Sequence, residues 1–100
     1  MDELPEELAA CTGFDWDGNV DKNRERHGIT AAECEQVFFQ RPILIAPDPA
    51  HSQDEVRFAA LGTTVSDRRL TIVFTIRDTS IPVISARDMS RRERRVYERA

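Results

Sequence analysis

From Pro42 onward the apolar residues stop recurring at helical spacing and become extended in pattern. Ile43 to Ala46, Val56 to Thr63, Leu70 to Arg77 and Ile81 to Arg87 each read as a strand bounded by polar turns. The connections between them are too short for crossover helices, so neighbouring strands must pair antiparallel. Residues 47 to 55, with two prolines, an acidic bias and His51, form an exposed loop in this scheme.

The residues before Pro42 carry helix signals. Phe14-Asp15-Trp16 alternates as a short strand would, Asp17 is placed to cap a helix from Gly18 to His27, and Gly28 ends it with a left-handed turn. Thr30-Ala31-Ala32-Glu33 is a capping box, with Ile29 and Cys34 as its hydrophobic staple. The helix it starts carries Ala31, Cys34, Val37 and Phe38 on one face and has to stop before Pro42, and Phe38 is an expected core residue. A second capping box, Ser90-Arg91-Arg92-Glu93, opens a last helix whose only apolar anchors are Val96 and Tyr97, which predicts weak docking or a place on a partner.

The expected fold is α+β: an antiparallel β-meander sheet with two N-terminal helices on one face and a short C-terminal helix. One hundred residues suit a single domain, here residues 14–100, preceded by a loosely attached N-terminal extension over residues 1–13.

Charge divides the chain in two. Met1 to Glu55 hold thirteen acidic and four basic residues, a balance of −9, whereas Val56 to Ala100 hold five acidic and ten basic ones, a balance of +5. All ten of those basic residues are arginines. A guanidinium presents a planar fork that meets phosphate oxygens two at a time, so this usage favours phosphate recognition over plain solubility.

With Asp78-Thr79-Ser80 as a hairpin loop, Arg77 faces Ile81, Val73 faces Ser85 and Thr71 faces Arg87, while the turn near Ser66 brings Arg57 beside Thr75. One face then carries the arginines, and the other carries Leu70, Ile72, Phe74, Ile76 and Ile84. Arg87 lies roughly 20 Å along the strand from Arg77, which ranks the pair Arg57 and Arg77 above it and leaves Arg87 to grip another phosphate or to dock the last helix.

Several function classes recede. No apolar run approaches the roughly 20 residues of a membrane span, and the acidic start is unlike a signal peptide, so a cytoplasmic protein is expected. Cys11 and Cys34 lack metal or redox spacing, and Asp48, His51 and Asp54 form a poor ligand set, so neither a metal nor any other cofactor is expected. Trp16 reads as a core or sheet-edge residue.

The stretches FDWDGNVDKNRERHGIT, VFF, DEVRFAALGTT, LTIVFTIRD and VISARDMSRRERRVYE closely resemble the BrnT-type toxins of bacterial toxin-antitoxin modules, from Phe14 to Glu98. The resemblance implies a RelE-like fold, endoribonuclease activity without a metal and consequent inhibition of translation. It also implies an RNA substrate and neutralisation by a BrnA-type antitoxin, in complex with which the protein would meet DNA only indirectly. It places the family's motifs on His27-Gly28, on Glu55 and Arg57, on Thr75 and Arg77, on Ser85 to Arg87, and on Glu93, Arg94 and Tyr97. Two positions depart from relatives: Pro82 stands where an arginine is frequent, and Arg26 where lysine is frequent. Pro82 also removes a ladder N–H, which suggests an edge strand or a bulge.

Metal-free cleavage of RNA needs a base for the 2′-hydroxyl, an acid for the leaving 5′-oxygen and cations for the pentacovalent phosphate. Arg57 and Arg77 are the expected clamp, Arg87 a second contact, and His27 or Glu55 the proton acceptor. Tyr97 is an acid, a stacking group or an anchor for the last helix, and Lys22, Arg26, Arg91 and Arg94 are expected to bind the RNA backbone. Two other classes compete: a module that binds nucleic acid or an acidic protein without cleaving it, and an assembly role for the arginine-rich helix.

Overall fold

The computed structural model describes residues 6–16, 28–49 and 55–100. Its strands are β1 (Gly13–Asp15), β2 (Leu44–Pro47), β3 (Arg57–Thr63), β4 (Arg69–Thr75) and β5 (Ser80–Asp88), joined in one sheet of order β1-β5-β4-β3-β2. β2 to β5 form the antiparallel meander that their short connections require. β1 corrects the expectation of a purely antiparallel sheet, because it runs parallel to β5 with Phe14 opposite Ile81. A parallel neighbour needs a long connection, and here most of the domain intervenes between the two strands.

Two α-helices lie among the described residues, α1 (Ala31–Val37) and α2 (Arg91–Glu98). At the start of α1 the Thr30 hydroxyl accepts from the Glu33 N–H at 3.1 Å and the Glu33 carboxylate accepts from the Thr30 N–H at 3.0 Å. Ile29 and Cys34, the staple, are fully buried. α1 sets Cys34 and Val37 into a core with Ala60, Leu70, Ile72, Phe74 and Val83. It comes close to the sheet at Gly62, where a Cβ would lie 2.6 Å from Val37 Cγ1. Phe38 packs edge-on against Phe14 and Phe74. Trp16 is half-buried against the core and donates to Glu35 at 2.9 Å, a packing role.

Glu6–Ala10 forms a short 3-10 helix, and Leu8 and Cys11 pack on the core. Gly28 takes the expected left-handed conformation, with φ 63°. The expected helix over residues 18 to 27, with Asp17, Lys22, Arg26 and His27, lies outside the described residues, as do His51 and Asp54.

Strand alternation puts Leu70, Ile72 and Phe74 on the α1 side of the sheet and Thr71, Val73 and Thr75 on the other. α2 docks on that second side, which corrects the expectation of a helix held weakly or by a partner. Tyr97 is buried and its hydroxyl donates to the Pro42 carbonyl at 2.6 Å. Arg69 pairs with Glu98 and stands over the Tyr97 ring at 6.0 Å, and Thr71 donates to Glu93 at 2.9 Å. Two apolar anchors were too few by composition, but polar contacts at both ends of the helix complete the docking.

The β4–β5 hairpin closes one residue earlier than expected. Arg77 and Ser80, not Arg77 and Ile81, exchange backbone hydrogen bonds of 3.0 Å across a two-residue loop in which Asp78 has φ 57°. A bulge beside Val73 and Phe74 restores the expected pairs Val73 with Ser85 and Thr71 with Arg87. It also reverses one expectation: Val83 is fully buried in the core, while Ile84 turns to the arginine side. β5 is flanked by β1 and β4, so Pro82 is not at an edge; it directly precedes the bulged stretch.

Candidate active site

α2 covers only one end of its side of the sheet. The rest is an open cavity of about 430 Å³, with Ala59, Val73 and Ser85 as its floor. Pro47 and Asp48 at the end of β2 form one wall and Glu93 of α2 another. Arg57, opposite Thr75, and Arg87, opposite Thr71, stand about four residues apart along β4, roughly 13 Å at the rise of a strand. Both line the cavity.

Arg57 and Arg87 share the cavity lining, and Arg57, opposite Thr75, is also a neighbour of Arg77, since both act on the Glu55 carboxylate. Arg77 is at the hairpin end and donates to Glu55 at 2.7 Å outside the cavity lining. The hydrogen bond from Arg77, then the charges of Arg77 and Arg57, hold the Glu55 carboxyl below its usual range. Glu55 thus joins Arg77 electrostatically to the Arg57 end of the cavity.

Arg87 is fixed at the other end. Its Nη1 and Nη2 donate to the two oxygens of Glu93 at 2.7 and 2.9 Å, and Nη1 also reaches the Asp88 carbonyl at 3.3 Å. Glu93 accepts in addition from the Ser90 N–H at 2.8 Å and from Thr71. The hydrogen bond from Arg87 first, then those from Ser90 and Thr71, lower the Glu93 pKa to about 2. A guanidinium has five N–H donors on two usable edges. Glu93 takes the Nη1–Nη2 edge, and the other edge, Nε–H with the second N–H of Nη2, makes no hydrogen bond among the described residues.

Tyr97 is not in the cavity; burial and its bond to Pro42 make it the anchor of α2. Arg91 and Arg94 are exposed on the same helix. His27, Lys22 and Arg26 lie outside the described residues. Asp48 and Thr71 were missed as lining residues. The strand register places Thr71 opposite Arg87 and so could have found it, whereas Asp48 falls in the segment read as an exposed loop and joins the cavity at the end of β2.

Among the described residues no helix is long and apolar enough to cross a membrane. Cys34 is buried, which together with the charges of Glu33 and Glu35 pushes its thiol up to about 12, and neither cysteine lines the arginine cavity.

No curated protein matches the chain. A family model described as the ribonuclease toxin, BrnT, of type II toxin-antitoxin system matches residues 16–93. That span contains Arg57, Arg77, Arg87 and Glu93 and ends before Arg94 and Tyr97. The match covers most of the chain and all the arginines of the cavity, and with it the protein belongs to the BrnT family of ribonuclease toxins of type II toxin-antitoxin systems.

Proposed function

We propose that the protein is a metal-independent endoribonuclease that stops translation by cutting RNA, and that its reaction takes place in the cavity between Arg57 and Arg87. The observation that carries this reading is the pair of guanidiniums at the two ends of one open cavity on a sheet face that is otherwise covered. In the reaction the 2′-hydroxyl attacks the adjacent phosphorus, the P–O5′ bond breaks with the departing 5′-oxygen taking a proton from water, and the products are a 2′,3′-cyclic phosphate and a 5′-hydroxyl. Arg57 and the unused edge of Arg87 neutralise the charge that accumulates on the phosphate oxygens. Glu55, ionised at neutral pH and close to Arg57, or His27 takes the 2′-proton. Arg77 orients Glu55 through their hydrogen bond, and Lys22, Arg26, Arg91 and Arg94 extend the contact along the RNA backbone.

The toxin belongs to a two-component system, so a BrnA-type antitoxin is its partner in this reading, an oligomer of the two is the resting state, and DNA is met only through that complex. A RelE-like relationship accords with helices packed on an antiparallel meander. One observation favours the rival reading of a non-cleaving binding module: Glu93, the carboxylate bonded to Arg87, is a poor base once its pKa is lowered to about 2.

RNA incubated with the purified chain in excess EDTA tests the proposal. Cleavage is expected to persist in EDTA, to leave cyclic-phosphate ends, to disappear with 2′-deoxy substitution at the cut position, and to drop sharply in Arg57→Ala and Arg87→Ala. Tight RNA binding without any cleavage would establish the module instead.

A further inference from the structure

We propose that Glu93 is a positioning residue of the ribonuclease: it selects which edge of the Arg87 guanidinium faces the phosphate, and so makes the docked α2 helix part of the active site. This rests on the cavity being the site of cleavage.

The geometry behind it is specific. Arg87 is the last cavity arginine on β5, its side chain is 45% exposed, and a long exposed side chain samples many rotamers. Glu93 removes that freedom with two parallel hydrogen bonds, and its own orientation is fixed by two further donors, the Ser90 N–H and the Thr71 hydroxyl. These donors come from different elements, the start of α2 and β4, so the carboxylate is held by the helix and by the sheet together. Because Glu93 engages only the Nη1–Nη2 edge, the Nε–Nη2 edge keeps a parallel two-donor fork of the kind that meets two phosphate oxygens. The contact therefore orients Arg87 without consuming it. Capping alone does not account for this, since the capping bonds need one oxygen of Glu93 and leave no reason for the second to be matched to Nη2.

The test uses the full chain with ¹⁵N-labelled arginine, as wild type, Glu93→Gln, Arg87→Ala and the double variant. Glutamine keeps a carbonyl oxygen for Ser90 and Thr71 but turns an NH2 toward Arg87. In wild type the Arg87 Nη signals should be separate, because rotation about the guanidinium is blocked, and in Glu93→Gln they should merge. Cleavage by Glu93→Gln should fall about 100-fold, chiefly in kcat, the scale of loss when a catalytic group is misplaced. The double variant should be no slower than Arg87→Ala alone, because Glu93 acts only through Arg87.

Merged Arg87 signals in the wild type overturn the proposal with no variant needed. Unchanged or faster cleavage by Glu93→Gln overturns it as well, the latter showing that Glu93 restrains Arg87 instead of aiming it. If Arg87→Ala cleaves RNA at the wild-type rate while the Nη signals still depend on Glu93, the orienting contact stands and the assignment of the cavity to cleavage falls.

Discussion

Acid should weaken the attachment of α2 through one carboxylate, and the size of the effect follows from its contacts. Glu93 has a folded-state pKa of about 2 against the ordinary 4.5, a difference worth about 3 kcal/mol at full strength. The side chain is a quarter exposed, so solvent screening reduces this to about 1–2 kcal/mol. The folded pKa is depressed, so this stabilisation is complete above pH 4.5 and is lost as the pH falls through about 2. Glu33 and Glu55 are also lowered by their partners and lose stabilising charge in acid, so the wild-type curve alone does not isolate Glu93. Urea unfolding of wild type and Glu93→Gln across this range does. Their difference should be about 1–2 kcal/mol at pH 7 and should shrink toward zero as the pH falls below about 2, where the Glu93 carboxyl also becomes neutral. A difference that stays constant with pH would refute the reasoning, because it would assign the effect of the substitution to shape and not to the charged pair with Arg87.

Three further outcomes are expected. Gly62→Ala should destabilise the fold by about 1–2 kcal/mol in urea unfolding, since its Cβ meets the stiff Val37 side chain at 2.6 Å and overpacking outweighs the gain in chain entropy; a more stable variant would mean that α1 does not press on β3 there. Tyr97→Phe removes the hydroxyl that satisfies the Pro42 carbonyl and should cost about 1–2 kcal/mol; lost cleavage with full stability would instead restore Tyr97 as the catalytic acid. A thiol reagent should label the native protein at Cys11 alone and reach Cys34 only after unfolding, because burial both blocks access and suppresses its thiolate.

Local chemistry was legible along the chain. Two capping boxes announce α1 and α2, and both close with the expected partners. Short polar connections force the antiparallel meander, and strand periodicity puts Leu70, Ile72 and Phe74 into the core and Thr71 opposite Arg87. These features depend on neighbours in sequence or on the parity of a strand, so a single chain displays them. The family could be named from motifs spread between Phe14 and Glu98, and the family match over residues 16–93 agrees.

The tertiary structure decided what depends on residues far apart. Pairing of β1 with β5 joins the two ends of the domain and carries no local signal. The bulge in β5 moved Ile84 from the expected core to the cavity, because one inserted residue reverses the face of every side chain beyond it. Docking of α2 across the second sheet face set Glu93 beside Arg87 and closed one end of that face, leaving Arg57 and Arg87 as lining of one cavity. Sequence determined which residues carry the charge, how each element begins and which strand arginines share a face; only the packing of α2 on that face set Glu93 against Arg87, since a contact between distant elements is fixed by folding and not by spacing along the chain.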